Sequence, residues 1–208
     1  MKTSTPTSRC VPGSIARPMR SPVGELLSDL AAALAPAGVG WYLFGAQAAI
    51  VYGAARLTAD VDVTVRLPDA MSSQSLVARL ADRGFRLRIS DPAFIERTRV
   101  IPFVHHATAL PLDVVLAGPG IEDQFLSRVH VRSIEGVQVY VASPEDLIVM
   151  KILAGRPKDL DDVRAVVAAL GAQLDGDYVA TTLTMLEEAL AQSDLLPAWR
   201  TVTNQPSP

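Results

Sequence analysis

The chain has 208 residues, of which 49% are hydrophobic and 20% charged, and its formal net charge at pH 7 is −3. This composition is typical of a globular protein with one sizeable core, or of a small α/β domain with a helical appendage. It excludes a membrane-spanning protein, because no apolar run is long enough to cross a bilayer, and a disulfide scaffold, because Cys10 is the only cysteine. Residues 1–23 lack the apolar core of a secretory signal, so we expect a cytoplasmic protein with no membrane partner.

The N-terminal part is predicted to form a tail and then a helix. Residues 1–23 are rich in Ser, Thr, Pro and Arg and show no periodicity, which predicts a disordered tail. From Pro22 to Ala37 the leucines recur at helical spacing, and Gly38 follows. This pattern predicts the first helix.

A glycine turn follows the first predicted strand. Trp41–Phe44 is an apolar, aromatic run that suits a buried strand, and Gly45 ends it. The small and apolar residues Ala46–Val51 predict a short helix, with Gly53 as its candidate C-cap. Because a glycine turn before a helix offers backbone N–H groups to an anion, this segment is a candidate phosphate site.

The second predicted strand carries two carboxylates. From Asp60 to Val65 the polar and apolar residues alternate, so Asp60, Asp62 and Thr64 share one face of a strand. The two carboxylates would lie roughly 6–7 Å apart and would repel each other unless a cation neutralises them. Hard oxygen ligands of this kind suit Mg²⁺. The alternative is a solvated strand face with two unrelated aspartates, and the glycine turn upstream favours the metal site.

The middle of the chain is predicted to form one helix and three strands. We place them at Pro68–Arg83, Phe85–Ile89, Arg97–Val104 and Leu110–Leu116. His105 and His106 lie in the link between the last two strands, and we expect them to be loop or surface residues. Asp113 interrupts an otherwise apolar strand, where a buried charge needs a partner. An aspartate that caps a loop near the strand end is the alternative, and the pattern leaves both open.

The C-terminal part is predicted to be mainly helical. After a short helix at Gly120–Arg128, we predict a hairpin of Val129–Ile134 and Val137–Val141, a helix from Ser143 to Ala154 and a last helix within Gly171–Gln192. Ser143 is the expected N-cap, with Pro144 at the first helical position. The residues from Leu195 to Pro208 are predicted to form a tail.

Charged residues are concentrated between these last two helices. Asp159 and Asp162 are three residues apart, so they share a helix face, and Arg156 and Lys158 lie beside them. A solvated helix start with local ion pairs is the plain interpretation of such a cluster.

Two stretches together resemble a known superfamily. Gly45-Ala46, thirteen further residues and Asp60-Val61-Asp62 resemble the signature of the DNA polymerase β-like nucleotidyltransferases. The longer string from Gly45 to Val63 resembles the bacterial branch that includes the AbiEii-type toxins. Two further runs resemble the same branch. They are P-E-D-L-I-x-x-K, which ends at Lys151, and R-x-K-D-x-x-D at residues 156–162. One departure is Ala46, where the family has Ser or Gly and where a serine hydroxyl would help to hold the triphosphate.

The resemblance implies a fold and a division of the chain. The implied fold is α+β, with a mixed, mainly antiparallel sheet flanked by helices and followed by C-terminal helices. Residues 24–142 would form the nucleotidyltransferase core and residues 143–193 a helical part packed on it. Residues 1–23 and 194–208 would be tails.

The resemblance also implies an activity, the Mg²⁺-dependent transfer of a nucleoside monophosphate from an NTP to an acceptor hydroxyl. Three carboxylates would hold two Mg²⁺ ions. The carboxylate of Asp113 is also the candidate general base. The implied catalytic residues are Asp60, Asp62, Asp113 and Lys151, of which the three aspartates are the metal ligands. The implied nucleotide-binding residues are Gly45, Ala46, Arg56, Lys158, Asp159 and Asp162. For Arg56, an ion pair with Asp60 or Asp62 is the alternative.

The acceptor stays open at this point. A tRNA 3′ end, a protein hydroxyl or a small molecule such as an aminoglycoside are the candidates, although the modest net charge does not favour strong RNA binding. The AbiEii resemblance implies a toxin with an antitoxin protein as partner. The alternative is a catalytically inactive relative that serves as a binding or partner protein, which Ala46 favours. The presence of three mutually repelling carboxylates argues against that alternative.

Overall fold

The computed structural model describes residues 20–203. Most of the predicted N-terminal tail and the last five residues therefore lie outside the described part of the chain. Within it, the strands are β1 (Gly40–Phe44), β2 (Val61–Arg66), β3 (Phe85–Leu87), β4 (Val100–His105), β5 (Pro111–Leu116), β6 (His130–Ile134) and β7 (Val137–Val141). They form one sheet in the order β3-β4-β5-β2-β1-β7-β6. Four of the pairings are antiparallel, and β2–β5 and β1–β7 are parallel.

Helices precede, interrupt and follow this sheet. They are α1 (Pro22–Leu34), α2 (Gly45–Val51), α3 (Ser73–Ala81), α4 (Pro92–Thr98), α5 (Ile121–Ser127), α6 (Pro144–Ala154), α7 (Pro157–Leu170), α8 (Gly176–Leu190) and α9 (Leu195–Thr203). The mixed, mainly antiparallel sheet with flanking and C-terminal helices confirms the predicted fold class.

The core lies between the sheet and the helices. Val61, Val63 and Val65 alternate along β2 and are buried, as the period of a strand with one core face requires. Helix α6 is buried over eight of its eleven residues, because it packs against α2, α7, α8 and α9. A helix that is apolar on most sides belongs in the interior, and α6 therefore fixes the C-terminal helices to the sheet.

The register of the sheet aligns acidic residues from two strands. In the parallel pair β2–β5, Asp62 lies opposite Asp113. Phe44 at the end of β1 lies opposite Asp62, and Pro102 of β4 lies opposite Asp113. Residues directly opposite each other in neighbouring strands share a face of the sheet. The two aspartates therefore stand side by side on one face.

Several predicted boundaries need correction. The C-cap of α2 is Tyr52 and not Gly53, and the helix already begins at Gly45. Helix α3 begins only at Ser73, because the Ser72 hydroxyl accepts a hydrogen bond from the Ser75 N–H and caps it. By contrast, the predicted capping of α6 by Ser143 is confirmed, with the Ser143 hydroxyl accepting from the Asp146 N–H at 3.1 Å.

Helix α4 was not predicted from the sequence. Asp91 and Pro92 are its N-cap and first residue, which are the positions these residue types favour. The predicted strand Arg97–Val104 is wrong over its first residues, since α4 continues to Thr98 and β4 begins at Val100. A seven-residue helix contains too few apolar positions to show a period.

The prediction of a tail over residues 194–208 is also wrong as far as Thr203. Helix α9 occupies Leu195–Thr203, and Leu195, Trp199 and Val202 are buried against the preceding helices. Their spacing is helical, but three apolar residues at the end of a chain are a weak sequence signal.

His105 is likewise not a surface residue. It is the last residue of β4 and is 1% exposed. Its ring nitrogens contact the Thr108 hydroxyl at 2.9 Å and the Asp29 carboxylate at 3.2 Å. His106, one position later, lies in the turn that follows β4 and is exposed as predicted.

None of the helices in residues 20–203 is both long and apolar enough to cross a bilayer.

Candidate active site

A cleft of about 240 Å³ opens where β1 ends, β2 begins and α6 meets α7. It brings together the predicted catalytic and nucleotide-binding residues, with the exception of Asp162, which does not line the cleft. The lining residues are Phe44, Gly45, Ala46, Arg56, Thr58, Asp60, Asp62, Asp113, Met150, Lys151, Ala154, Arg156, Lys158 and Asp159. Residues more than a hundred positions apart thus meet at one place.

The carboxylates lie on one side of this cleft. Asp62 is the second residue of β2, and Asp113 is its neighbour on β5. Asp60 lies just before β2, and not in it as predicted; it is exposed. Burial, together with repulsion from Asp113 and Asp60, raises the pKa of the Asp62 carboxyl to about 6. Lys151 and Arg156 offset part of this effect.

Gly45 makes direct room for the Asp62 carboxylate. Its φ of +69° lies in the left-handed region that favours glycine. A Cβ atom added there would lie 2.9 Å from Cγ of Asp62 and closer still to Oδ2. The sequence predicted a phosphate role for this glycine. The structure shows a further reason for the residue, because any side chain would displace the carboxylate.

The loop between α2 and β2 carries further cleft residues. The Gln47 side-chain amide donates to the Thr58 carbonyl at 3.3 Å, which ties the loop to α2. The Thr58 hydroxyl in turn accepts from the Asp60 N–H at 3.3 Å. These contacts place Asp60 at the mouth of the cleft.

A network of buried charges on α6 and α7 also lines the cleft. The Lys151 ammonium donates to Oδ1 of Asp159 at 3.1 Å and to Oδ2 of Asp162 at 2.6 Å, and all three side chains are buried. Arg56 donates to the same oxygen of Asp162 at 2.7 Å, and Arg156 donates to Asp159. Buried charges need partners of this kind. The interpretation of Asp159 and Asp162 as solvated is therefore wrong, whereas the local ion pair that it included is present between Arg156 and Asp159.

The same network changes the pKa of Asp159. Burial acts to raise it, but hydrogen bonds from Arg156 and Lys151 and the attraction of their charges outweigh burial. The pKa of Asp159 is consequently lower than usual. For Arg56, the predicted alternative of a pair with Asp60 or Asp62 is wrong, because its recorded partner is Asp162.

Asp113 has a partner that the sequence did not indicate. Its side chain is 38% exposed, less buried than expected, and it forms an ion pair with Arg88. Arg88 follows β3 and belongs to the predicted strand Phe85–Ile89. Sequence alternation could place Arg88 on a polar face, but it could not show which strands become neighbours.

The oxygen ligands fit a hard divalent cation in chemistry but are not gathered around one point. Asp60, Asp62 and Asp113 supply carboxylates, and burial followed by repulsion from Asp113 and Asp60 raises the pKa of Asp62. Within residues 20–203, however, no three acidic, His or Cys side chains already surround a common metal position. The ion pair of Asp113 with Arg88 is consistent with that arrangement.

Comparison with known families decides the assignment. Residues 37–204 match the family described as a nucleotidyltransferase of unknown function, DUF6036. The chain belongs to this family. The match includes the glycine turn, all of the site residues named above and every helix after α1. A search of the curated proteins gave no significant match.

Solved structures with this fold include nucleotidyltransferases. The antibiotic-resistance factor ANT(2″)-Ia in solution is similar over 83% of this chain and 97% of its own, with 16% identity and a TM-score of 0.59. Its crystal structure with adenylyl-2″-tobramycin is similar over 86% and 97%, with 18% identity and a TM-score of 0.54. An antigenic nucleotidyltransferase-like protein from Paracoccidioides brasiliensis is similar over 88% of this chain and 95% of its own, with 18% identity and a TM-score of 0.54. At these identities the likeness establishes the nucleotidyltransferase fold, and the AbiEii-type branch stays a prediction.

Proposed function

We propose that this DUF6036 protein transfers a nucleoside monophosphate from an NTP to an acceptor hydroxyl in a Mg²⁺-dependent reaction. The observation that carries the proposal is the register of Asp62 and Asp113, which stand side by side at a cleft that Lys151 also lines. Strand carboxylates and helix cations that line one cleft suit a phosphate chain that arrives with metal ions.

Each wall has a role in this proposal. Asp60, Asp62 and Asp113 would hold Mg²⁺, which when bound supplies charge neutralisation at the phosphates and activates the acceptor hydroxyl. Asp113 would accept the proton of that hydroxyl. Pyrophosphate would leave along the wall of α6 and α7.

Lys151 would contact the nucleotide through the one N–H group that does not donate to Asp159 or Asp162. An ammonium has three N–H groups, and Asp159 and Asp162 accept from Lys151. Since Lys151 also lines the cleft, its third N–H is available to a phosphate oxygen. Lys158, which is exposed at the same wall, and Arg56 would add positive charge around the phosphates.

The acceptor is proposed as a hydroxyl of a small molecule, a tRNA or a protein. The structure of ANT(2″)-Ia with adenylyl-2″-tobramycin supports testing an aminoglycoside first. A role as the toxin of a toxin–antitoxin pair, with an antitoxin protein as partner, rests on the resemblance of residues 45–63 and 144–162 to AbiEii-type proteins.

A transfer assay tests the proposal. The protein is incubated with Mg²⁺ and each α-labelled NTP in the presence of tobramycin, of total tRNA or of no added acceptor. We expect label on one acceptor, or on the protein itself, and at least a hundredfold less with Asp113→Asn. Binding of an NTP without any transfer of label would contradict the proposal.

That contradictory result would favour the second candidate, a catalytically inactive binding protein. Two observations support this candidate. Ala46 lacks the hydroxyl that the resembling family uses at this position, and Asp113 is paired with an arginine.

A further inference from the structure

Arg88 lies in the same row of the sheet as the acidic pair. Its N–H donates to the Pro102 carbonyl at 2.8 Å, which places it beside Pro102 of β4. Pro102 lies opposite Asp113, and Asp113 lies opposite Asp62. Because neighbours across strands share a face, the arginine points across β4 towards the two aspartates. The compact ring of Pro102 stands between them.

The guanidinium of Arg88 is held at two points. Its Nε donates to the Phe103 carbonyl at 2.9 Å, and its Nη2 donates to Oδ1 of Asp113. A planar guanidinium that is fixed by a backbone oxygen turns away less readily than a lone surface lysine would. The positive charge is therefore kept on the third carboxylate of the site.

This pair is accessible to a competing cation. The side chains of Arg88 and Asp113 are 40% and 38% exposed, so water reaches both partners and weakens their attraction. A divalent ion carries twice the charge of a guanidinium and prefers carboxylate oxygens. A divalent ion would therefore compete with Arg88 for the Asp113 carboxylate. The positive charge of Arg88 would in turn lower the affinity of the site for that ion.

We propose that Arg88 is a positioning residue that occupies Asp113 in the metal-free protein, and that its displacement sets the concentration of divalent cation the site requires. The inference rests on the proposed Mg²⁺ site. It explains why the three carboxylates are not gathered around one point within residues 20–203, since one of them is held towards β3. Release of Arg88 would free Asp113 for its proposed role beside the acceptor.

Titration with Mn²⁺ alone, followed by its paramagnetic signal, tests this proposal without nucleotide or turnover. We expect Arg88→Gln to bind Mn²⁺ about threefold to tenfold more tightly than the native chain, the effect of removing one charge close to a divalent ion. Arg88→Lys, which keeps the charge, should stay near the native affinity. Arg86→Gln is the matched control, because Arg86 is exposed two residues earlier in β3, opposite Val104, and we expect less than a twofold change.

A double-variant comparison shows whether the effect passes through Asp113. In an Asp113→Asn background, Arg88→Gln should no longer change the Mn²⁺ affinity. The proposal is overturned if Arg88→Gln acts no more strongly than Arg86→Gln. It is also overturned if the effect of Arg88→Gln persists without the Asp113 carboxylate, or if no variant binds Mn²⁺ at millimolar concentrations. Tightened Mn²⁺ binding without any NTP binding would support the role of Arg88 and count against the proposed transfer.

Discussion

Asp62 and Gly45 touch at the point where β2 begins and β1 ends, so each limits what the other can be. The positive φ of Gly45 and the short distance to Asp62 both exclude a side chain. We expect Gly45→Ala to displace the Asp62 carboxylate and to abolish Mg²⁺-dependent NTP binding. The strain of a non-glycine residue at this φ should also cost about 1–2 kcal/mol of unfolding free energy. Calorimetry and urea unfolding measure the two effects.

Gly38→Ala is a matched control for Gly45→Ala. Gly38 also has a positive φ, but a Cβ there would meet no atom within 4 Å. The Gly38→Ala variant should lose a similar amount of unfolding free energy through backbone strain, but it should bind NTP normally. Equal loss of binding in both variants would show that strain, and not contact with Asp62, is responsible.

The raised pKa of Asp62 makes stability depend on pH. The folded protein keeps this carboxyl protonated up to about pH 6, whereas its ordinary value is 3.8. Between these values the folded state binds more protons, so the unfolding free energy contributed by this group falls as the pH rises through the window. Without divalent metal, Asp62→Asn should therefore be more stable than the native chain by about 1–3 kcal/mol at pH 7.5, and this advantage should shrink to near zero at pH 4.

Urea unfolding at both pH values, in the presence of a chelator, measures this effect. The exposed Asp69 provides the control, since Asp69→Asn should change the unfolding free energy little at either pH. An Asp62→Asn variant whose advantage does not change with pH would contradict the assignment of the raised pKa.

At the scale of elements, Lys151 joins α6 to the start of α7. It lies between Asp159 and Asp162, which would be left as buried carboxylates with one cation fewer if it were removed. We expect Lys151→Met to reduce the unfolding free energy by about 3–5 kcal/mol, the usual cost of breaking a buried ion pair from one side. Lys158→Met, at an exposed position of α7, should stay within about 0.5 kcal/mol. Similar stabilities of the two variants would show that the pairs contribute little.

The sequence predicted those elements that carry a strong local signal. Strands β1, β2, β5 and β7 and the capped helix α6 were located within a residue or two, because apolar alternation and a Ser-Pro helix start are local features. Helix α4 was missed because it has seven residues, and α9 because its burial depends on contacts with α7 and α8 that no local pattern shows. The pairing of strands, which places Arg88 next to Asp113, is likewise set by the whole sheet.

At the scale of the molecule, the C-terminal helices complete the core. Trp199 of α9 is buried and lies near Gly176 at the start of α8, 3.7 Å from where a Cβ would be. We expect Trp199→Ala to reduce the unfolding free energy by about 3–5 kcal/mol, measured by circular dichroism in urea. The exposed Arg200 offers the control, since Arg200→Ala should have little effect. A stable Trp199→Ala protein would show that α9 is not part of the cooperative fold.

The site predicted from the sequence is assembled by elements far apart in the chain, from β1, β2 and β5 to α6 and α7. Motif spacing indicated Asp60, Asp62 and Lys151, because D-x-D and P-E-D-L-I-x-x-K are local patterns. It did not indicate the pair of Arg88 with Asp113 or the contact of Gly45 with Asp62, since both depend on strand order, whereas the pair of Arg156 with Asp159 is local. The residues that meet in the cleft were thus more predictable than their long-range contacts.

The most direct test of a metal-dependent nucleotide site is calorimetric titration of the native chain with each of the four NTPs, with Mg²⁺ and with a chelator. We predict that one or more NTPs bind only with Mg²⁺, and that Asp60→Ala combined with Asp62→Ala abolishes this binding while the protein stays folded. Binding that is independent of Mg²⁺, or equal in the double variant, would contradict a carboxylate-held nucleotide site. An absence of binding by every NTP to the folded native chain would contradict it as well.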